Sequence, residues 1–195
     1  MNLPTRLRPG GRSARVQEAV HGATRALIDL HGRDALTVPL IAARAGVTPS
    51  TIYRRWGDLA DLLADVSVQR LRPDAEPADT GTLGGDLRTW AEQFHEEMSS
   101  DVGRGMLRDV LSTGQFGDGT GACQCARFTT AQIELMLERA RARGEPVPTA
   151  ERVMDGFVAP LIYRLLFGPV PADARQAARW IETCIDAADR PLAID

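Results

Sequence analysis

Residues 37–59 read TVPLIAARAGVTPSTIYRRWGDL, and this stretch decides how the chain folds. It divides into two short helices, because a glycine follows each run of helix-favouring residues. The first helix is capped by Thr37 and stops at Gly46, and the second is capped by Thr48 and stops at Gly57. Each has a proline in its first turn, where a helix needs no amide donor.

The turn between these helices has the features of a helix-turn-helix. Two helices that cross closely need small residues at the crossing, and Ala42 and Ala45 are small. Gly46 can adopt the left-handed turn, and Val47 supplies an apolar residue behind it. We therefore expect the second helix to be the one that enters the major groove of DNA.

The second helix has one apolar side, formed by Ile52 and Trp56, and one side of polar or flexible groups that can reach base edges or phosphates. Arg54 and Arg55 are both candidates for a DNA contact, and the sequence does not choose between them. The candidate DNA-contacting residues are Thr37, Arg44, Thr48, Pro49, Ser50, Thr51, Tyr53, Arg54 and Arg55.

From Ile41 to Trp56 the chain resembles the TetR (tetracycline repressor) family of bacterial regulators, in its spacing, its Ala-Gly-Val turn and its Thr-Ile-Tyr triplet. The resemblance covers about residues 13–72. It implies an all-α fold of about nine helices, with a three-helix DNA-binding unit before a helical bundle that binds a ligand and dimerises. The family usually has Lys where this chain has Leu59, so backbone amides of the fourth helix would hold the phosphate alone.

Helical periodicity extends this interpretation along the chain. Ser13 is expected to cap a first helix that Gly32 ends, and a fourth helix covers residues 59–71. A polar linker at 73–85 sets the predicted domains at 1–72 and 73–195. Pro160 should kink a late helix and open space beside it. The later helices are expected near 83–98, 103–111, 122–143, 149–167 and 172–188, with a glycine-rich segment at 113–121 that is not ordered by itself.

The charge is distributed unevenly between the two predicted domains. Residues 1–72 contain 11 Arg and 6 Asp or Glu, for a net charge of +5, whereas residues 73–195 have a net charge of −8. This asymmetry favours a polyanionic partner, double-stranded DNA, for the first domain alone. The arm arginines either enter a groove or form only a tail; they are Arg6, Arg8, Arg12 and Arg15.

Several other classes are disfavoured. Three cysteines, no membrane-spanning run and no signal peptide predict a cytoplasmic protein with no membrane partner and no cofactor. The pair Cys123 and Cys125 is too sparse for a metal site. Three histidines without a recognisable catalytic pattern argue against an enzyme. The alternatives are a small-molecule enzyme or a helical adaptor that retains the motif without using it for regulation.

The second domain is expected to bind an apolar or aromatic small-molecule effector, whose arrival moves the fourth helix and releases a palindromic operator, as is usual for the resembled family. Aromatic residues and methionines suit an irregular guest. The candidate lining residues are Trp90, Phe94, Met98, Met106, Val110, Phe128, Met136, Phe157 and Tyr163.

A homodimer through the last two helices is also expected, because helix 149–167 is apolar on two sides. One side comprises Val153, Phe157, Leu161 and Leu165, and the other comprises Met154, Val158, Ile162 and Leu166. A helix that is apolar on both sides needs two partners, which are its own core and another subunit.

Overall fold

The computed structural model describes residues 11–113 and 121–186. Every element longer than a turn in these ranges is a helix, which confirms the all-α prediction. The chain forms two compact units, residues 1–66 and 67–195. The division falls inside the fourth helix, six residues before the predicted end of the first domain. Arg6, Arg8 and most of the glycine-rich segment lie outside the described residues.

The first unit is built from the helices that the motif predicts. A 3₁₀ turn at Arg33–Ala35 joins the first two of them. The helices are α1 (Arg12–His31), α2 (Val38–Ala45), α3 (Pro49–Trp56) and α4 (Leu59–Leu71), of which α4 continues into the second unit.

Most of the predicted helix ends are confirmed. The Leu40 amide donates to Thr37 Oγ1 at 3.3 Å, and Gly46 is left-handed with φ of 67°. The prediction for Ser13 is wrong, because α1 begins at Arg12 with Gly11 at its cap, two residues before the predicted cap. The hydroxyl group of Ser13 accepts a hydrogen bond from Arg55 instead.

Thr48 occupies the cap position of α3, but its side chain makes no hydrogen bond to the helix backbone. Its Oγ1 atom lies 3.0 Å from the hydroxyl oxygens of both Ser50 and Thr51. Three neighbouring hydroxyl groups are thus tied together at the start of the second helix of the motif.

The core of the first unit receives side chains from all four helices. Leu62 and Val66 of α4 are buried in it, and Leu63 packs against it, as the sequence predicts. The other buried members are Val20, Ala23, Leu27, Leu36, Val38, Ile41, Ala42, Ile52 and Trp56.

The second unit contains five further helices, which brings the described residues to nine. Thr82 caps the first of them by accepting from the Gly85 amide at 3.1 Å, so the linker ends three residues earlier than predicted. The helices are α5 (Leu83–Ser99), α6 (Asp101–Ser112), α7 (Gly121–Ala142), α8 (residues 150–167) and α9 (Ala174–Asp186).

Helix α8 contains a wide π-helical turn at Met154–Val158, where the Ala159 amide donates to the Met154 carbonyl group. Pro160 follows directly. A proline has no amide hydrogen to donate and its ring crowds the carbonyl group four residues back, here that of Gly156. The wide turn accommodates this proline within a continuous helix.

Helices α5, α7, α8 and α9 enclose the core of the second unit, against which Leu71 at the end of α4 also packs. None of the helices in the described ranges is long and apolar enough to cross a membrane. The largest fully buried side chains in this core are Phe157, Leu87, Ile133, Met136, Leu137, Leu161 and Ile181.

Candidate functional site

Helix α3 has two contrasting sides. Ile52 is fully buried and Trp56 is 9% exposed, so both anchor the helix to the core of the first unit. Tyr53 is 50% exposed and Arg54 lies beside it, also exposed. This alternation presents the polar side of α3 to solvent, as a helix that reads DNA requires.

The two adjacent arginines of α3 have different surroundings. Arg55 donates to Ser13 Oγ at 2.7 Å and to Gln17 Oε1 at 2.6 Å, and its guanidinium group lies 5.2 Å from the centre of the Trp56 ring. Within the described residues, Arg54 has no hydrogen-bond or ion-pair partner. Arg55 therefore ties α3 to the beginning of α1, while Arg54 remains available to a ligand.

The sequence analysis missed the polar cluster behind Trp56. The indole N–H of Trp56 donates to Asp65 Oδ2 at 2.7 Å, and His21 Nε2 lies 2.9 Å from the same oxygen. Burial of Asp65 opposes its ionisation, but these two hydrogen bonds and the electrostatic attraction of His21 and Arg55 together hold the pKa of its carboxyl group below the ordinary value. The cluster joins α1 to α3 and α4, and His21 of α1 is 44 residues away from Asp65, so no local pattern indicated it.

The remaining DNA-binding candidates lie at the two helix starts and on α2. Arg44, Pro49 and Ser50 are exposed, and Thr51 is half-buried. Thr37 and Thr48 are exposed, but each also has a structural role, Thr37 as a helix cap and Thr48 in the hydroxyl cluster. Four of the candidates lie on α3, namely Ser50, Thr51, Tyr53 and Arg54, and Thr48 lies at its cap.

A cavity of about 450 Å³ lies within the second unit. Its walls come from α5, α6, α7 and α8 and from residues 70–75, which comprise the end of α4 and the chain that follows it. The charged residues of the described wall are all exposed to solvent; they are Arg70, Arg72, Asp74 and Glu97. The apolar wall includes Phe94, Met98, Leu107, Val110, Phe128, Met154, Val158, Ile162 and Leu166.

Four of the nine predicted ligand residues line this cavity; they are Phe94, Met98, Val110 and Phe128. Trp90, Met106, Met136 and Phe157 are buried but do not reach its wall. Tyr163 is 64% exposed and packs against Phe167, with ring centres 5.4 Å apart. Periodicity identified the apolar side chains without showing which of them meet an empty space.

Helix α8 is apolar on two sides, as the sequence predicts, and the second of these sides faces the cavity. Met154, Val158, Ile162 and Leu166 line the cavity. The cavity accounts for a second apolar side just as well as a second chain would, and sequence periodicity cannot distinguish the two.

Helix α7 contributes a polar stripe that the sequence analysis did not find. Cys125, Thr129 and Gln132 follow each other at helical spacing and all line the cavity. Burial raises the pKa of the Cys125 thiol to about 11, so this group stays protonated at neutral pH. The Trp90 indole N–H donates to Gln132 Oε1 at 3.1 Å.

The end of α4 also lines the cavity, through Arg70 and Leu71. Ser67 lies four residues before Leu71 on the same helix. Its Oγ atom donates to Asp109 Oδ2 on α6 at 2.8 Å, and both residues are buried. Helix α4 thus begins in the core of the first unit and ends on the wall of the cavity.

Two family models match the chain. "Bacterial regulatory proteins, tetR family" matches residues 22–66, and "Tetracyclin repressor-like, C-terminal domain" matches residues 77–184, more than half of the chain. The chain belongs to the TetR family. The resemblance noted in residues 41–56 is thereby confirmed and extended to the second unit.

TetR-family relatives match parts of the sequence. An uncharacterized HTH-type transcriptional regulator of Mycobacterium tuberculosis is 32% identical over 121 residues, which are 61% of this chain and 59% of that protein. The chain therefore spans less than two thirds of the length of that curated relative. YdeS of Bacillus subtilis, also an uncharacterized HTH-type transcriptional regulator, is 28% identical over 160 residues, 80% of each chain.

Solved TetR-family structures share the fold. The transcription regulator SCO0332 superposes with a TM-score of 0.67 and 22% identity, over 91% of this chain and 100% of that chain. FadR of Thermus thermophilus is a transcriptional repressor solved in complex with lauroyl-CoA. It gives a TM-score of 0.61 and 16% identity, over 92% of this chain and 96% of the FadR chain.

One position departs from the usual TetR-family pattern. Leu59, in the place of the usual lysine, is half-buried and packs against the core of the first unit. Asp58 Oδ1 accepts from the Asp61 amide at 2.9 Å, so one amide at the start of α4 is already occupied within the chain.

Proposed function

We propose that this protein is a DNA-binding transcriptional regulator. A small molecule bound in the cavity of its second unit would control the affinity of the protein for its operator. The observation that carries the proposal is the two-sided α3, anchored by Ile52 and Trp56 and exposing Tyr53 and Arg54. The net charge of +5 on residues 1–72 supports the same partner. We place the protein in the cytoplasm, with its DNA, and assign no catalysis to it.

On DNA, Arg54 is the arginine that we assign to the duplex, because Arg55 is held by Ser13 and Gln17. Ser50, Thr51 and Tyr53 share the exposed end of α3 and complete the contact surface. Arg55 acts as a positioning residue, since it fixes the beginning of α1 beside the reading helix. The other candidates, Thr37, Arg44, Thr48 and Pro49, lie at the edges of this surface.

The effector is a mostly apolar molecule. A volume of about 450 Å³ lies within the range of about 300–1,000 Å³ that is typical of small-molecule sites, and most of the lining residues are apolar. The fold relative solved with lauroyl-CoA is a precedent for a long apolar ligand in this fold. We limit the proposed ligand-contacting set to Phe94, Met98, Val110 and Phe128 among the predicted residues.

Helix α4 transmits the signal in this proposal. A ligand can shift DNA binding only by its different affinity for two arrangements of the protein, typically by about 1–3 kcal/mol. Because Arg70 and Leu71 line the cavity, a guest contacts α4 directly. The buried bond from Ser67 to Asp109 couples the same helix to α6. Release of the operator on ligand binding, the mode of a repressor, is the direction that we propose.

We also propose a homodimer through α8 and α9. The interface would lie on a surface other than the side of α8 that lines the cavity. Tyr163, Phe167 and Val170 are between 64% and 69% exposed, and they follow one another along the outer side of α8 and the turn after it. Exposed aromatic residues that stack on each other are typical anchors of interfaces. A two-fold dimer would present two copies of α3 to a palindromic site.

Selection of duplexes from a random DNA library by the full-length protein tests the proposed function. We expect an enriched palindrome with two half-sites about one helical turn apart, bound with an affinity that falls steeply as salt rises. Recovery of no preferred sequence, with binding no tighter than that to random duplex, would overturn the proposal.

A further inference from the structure

The wall of the cavity contains one polar group whose orientation is fixed by a neighbour. Gln132 belongs to α7 and lines the cavity, and its Oε1 atom accepts a hydrogen bond of 3.1 Å from the indole of Trp90. An indole nitrogen can only donate, so the oxygen of the amide must face it. The NH₂ group of Gln132 is then directed away from Trp90, and among the described residues nothing accepts a hydrogen bond from it.

Trp90 is itself held rigidly. It is 4% exposed and packs against Phe94 and Phe157, with ring centres 5.2 and 5.6 Å away. Phe94 lines the cavity and Phe157 belongs to the core. The tryptophan therefore positions one apolar wall residue and one hydrogen-bond donor together, without touching the cavity.

The other polar groups of the stripe are committed or neutral. The hydroxyl group of Thr129 donates to the Cys125 carbonyl oxygen at 3.2 Å, and the Cys125 thiol stays protonated. The charged residues of the described wall are solvent-exposed and comprise two of each sign, Arg70 and Arg72 against Asp74 and Glu97. The interior thus offers a strong donor at Gln132 and no unbalanced charge in its described part.

From this arrangement we propose that the effector is an uncharged, mostly apolar molecule with a carbonyl oxygen, or an equivalent acceptor, that receives a hydrogen bond from the Gln132 amide. The inference rests on the proposed function, because it takes the cavity to be the effector site. Gln132 is half-buried. A guest that covers its NH₂ group without accepting a hydrogen bond would remove the hydrogen bonds of that group to water without replacement.

Two probes of the same shape test this inference. In 2-undecanone a carbonyl group occupies the position that a carbon–carbon double bond to CH₂ occupies in 2-methyl-1-undecene, so only the ketone offers an acceptor. Isothermal titration calorimetry of the full-length protein would give the affinity for each. We expect the wild type to bind the ketone about 5–10-fold more tightly than the alkene.

Gln132→Met removes the donor while keeping a long unbranched side chain, and Gln132→Leu serves if the first variant does not fold. Either variant is expected to lose the preference for the ketone while its affinity for the alkene is maintained, because the carbonyl oxygen then loses its hydrogen bonds to water without replacement. Gln93→Met, on the exposed side of α5, is the matched control and should keep the preference of the wild type.

The outcomes separate the two proposals. Equal binding of both probes by the wild type, or a ketone preference that survives in the Gln132 variants, would overturn the acceptor inference and leave the cavity as an effector site. If the wild type bound neither probe, both the inference and the sensing role of the cavity would be contradicted, while selection of an operator would still test DNA binding separately.

Discussion

The side chain of Ser67 on α4 donates a hydrogen bond of 2.8 Å to the carboxylate of Asp109 on α6, and both residues are buried. Ser67 directly follows the last residue of the first unit, and Asp109 precedes Val110 of the cavity wall. One hydrogen bond therefore joins the helix that leaves the first unit to a helix that lines the cavity. We propose this hydrogen bond as the route by which a guest in the cavity would move α4.

Replacing Ser67 with Ala should weaken this coupling. The variant is expected to bind 2-undecanone as the wild type does, but the ketone should reduce its operator affinity by a smaller factor. Its free energy of unfolding should fall by about 1–3 kcal/mol, because a buried carboxylate loses a donor. Fluorescence anisotropy of labelled operator with and without the ketone measures the coupling. Gln69→Ala, at an exposed site of α4, is the control, and full coupling in Ser67→Ala would argue against this route.

The carboxylate of Asp65 stabilises the first unit, so Asp65→Ala should lower its free energy of unfolding by about 2–4 kcal/mol. The buried imidazole of His21 and the indole of Trp56 would each lose a partner. The control is Asp29→Ala, at an exposed site of α1, which should change the free energy of unfolding by no more than about 0.5 kcal/mol. Chemical denaturation followed by circular dichroism measures both, and equal effects would contradict the stabilising role.

The same cluster predicts a pH dependence. The pKa of Asp65 is lower in the folded protein than its ordinary value of 3.8, so the folded state favours the ionised carboxylate. Its contribution is fully present above the unfolded pKa and is lost as the pH falls through the folded one. The difference in stability between wild type and Asp65→Ala should therefore be constant from pH 7 to pH 5 and shrink below about pH 4. A difference that grew on acidification would contradict this sign.

The exposed aromatic pair on α8, Tyr163 and Phe167, is the proposed anchor of the dimer interface. Phe167→Glu should raise the dissociation constant of the dimer by about 30-fold or more, as expected when an interface anchor is lost. Light scattering should give the wild type a mass near twice 21.2 kDa and the variant a mass that approaches 21.2 kDa on dilution. Leu30→Glu, at an apolar residue of α1 that is 62% exposed, is the control. A monomeric wild type, or an unaffected variant, would refute the proposed interface.

Much of the first unit could be predicted because its signals are local. Gly46, the prolines of the first turns and the cap at Thr37 act within a few residues of their position, so α2, α3 and α4 were predicted with their observed bounds. The cluster around Asp65 could not be predicted, because His21 is 44 residues away from it and only packing brings them together.

The lining of the cavity could also be predicted only in part. Local spacing identifies its apolar side chains, but contacts between distant helices decide which of them meet the empty space. Periodicity indicated which side of α8 is apolar, but whether that side meets a neighbouring chain, a core or an empty space depends on three other helices. The polar stripe with Gln132 lies on the same helix as Phe128 and has the same spacing signal. The stripe was missed because the orientation of the Gln132 amide depends on Trp90, 42 residues earlier in the chain.

The measurement that tests the central claim most directly is the affinity of the Tyr53→Ala/Arg54→Ala double variant for the selected operator. Base and phosphate contacts of this kind contribute about 1–3 kcal/mol each, so the account predicts a loss of at least about 30-fold, with an unchanged melting temperature and mass. Arg175→Ala, at an exposed site of α9 in the second unit, should bind as the wild type does. Undiminished operator binding by the folded double variant would contradict the assignment of α3 as the DNA-reading helix.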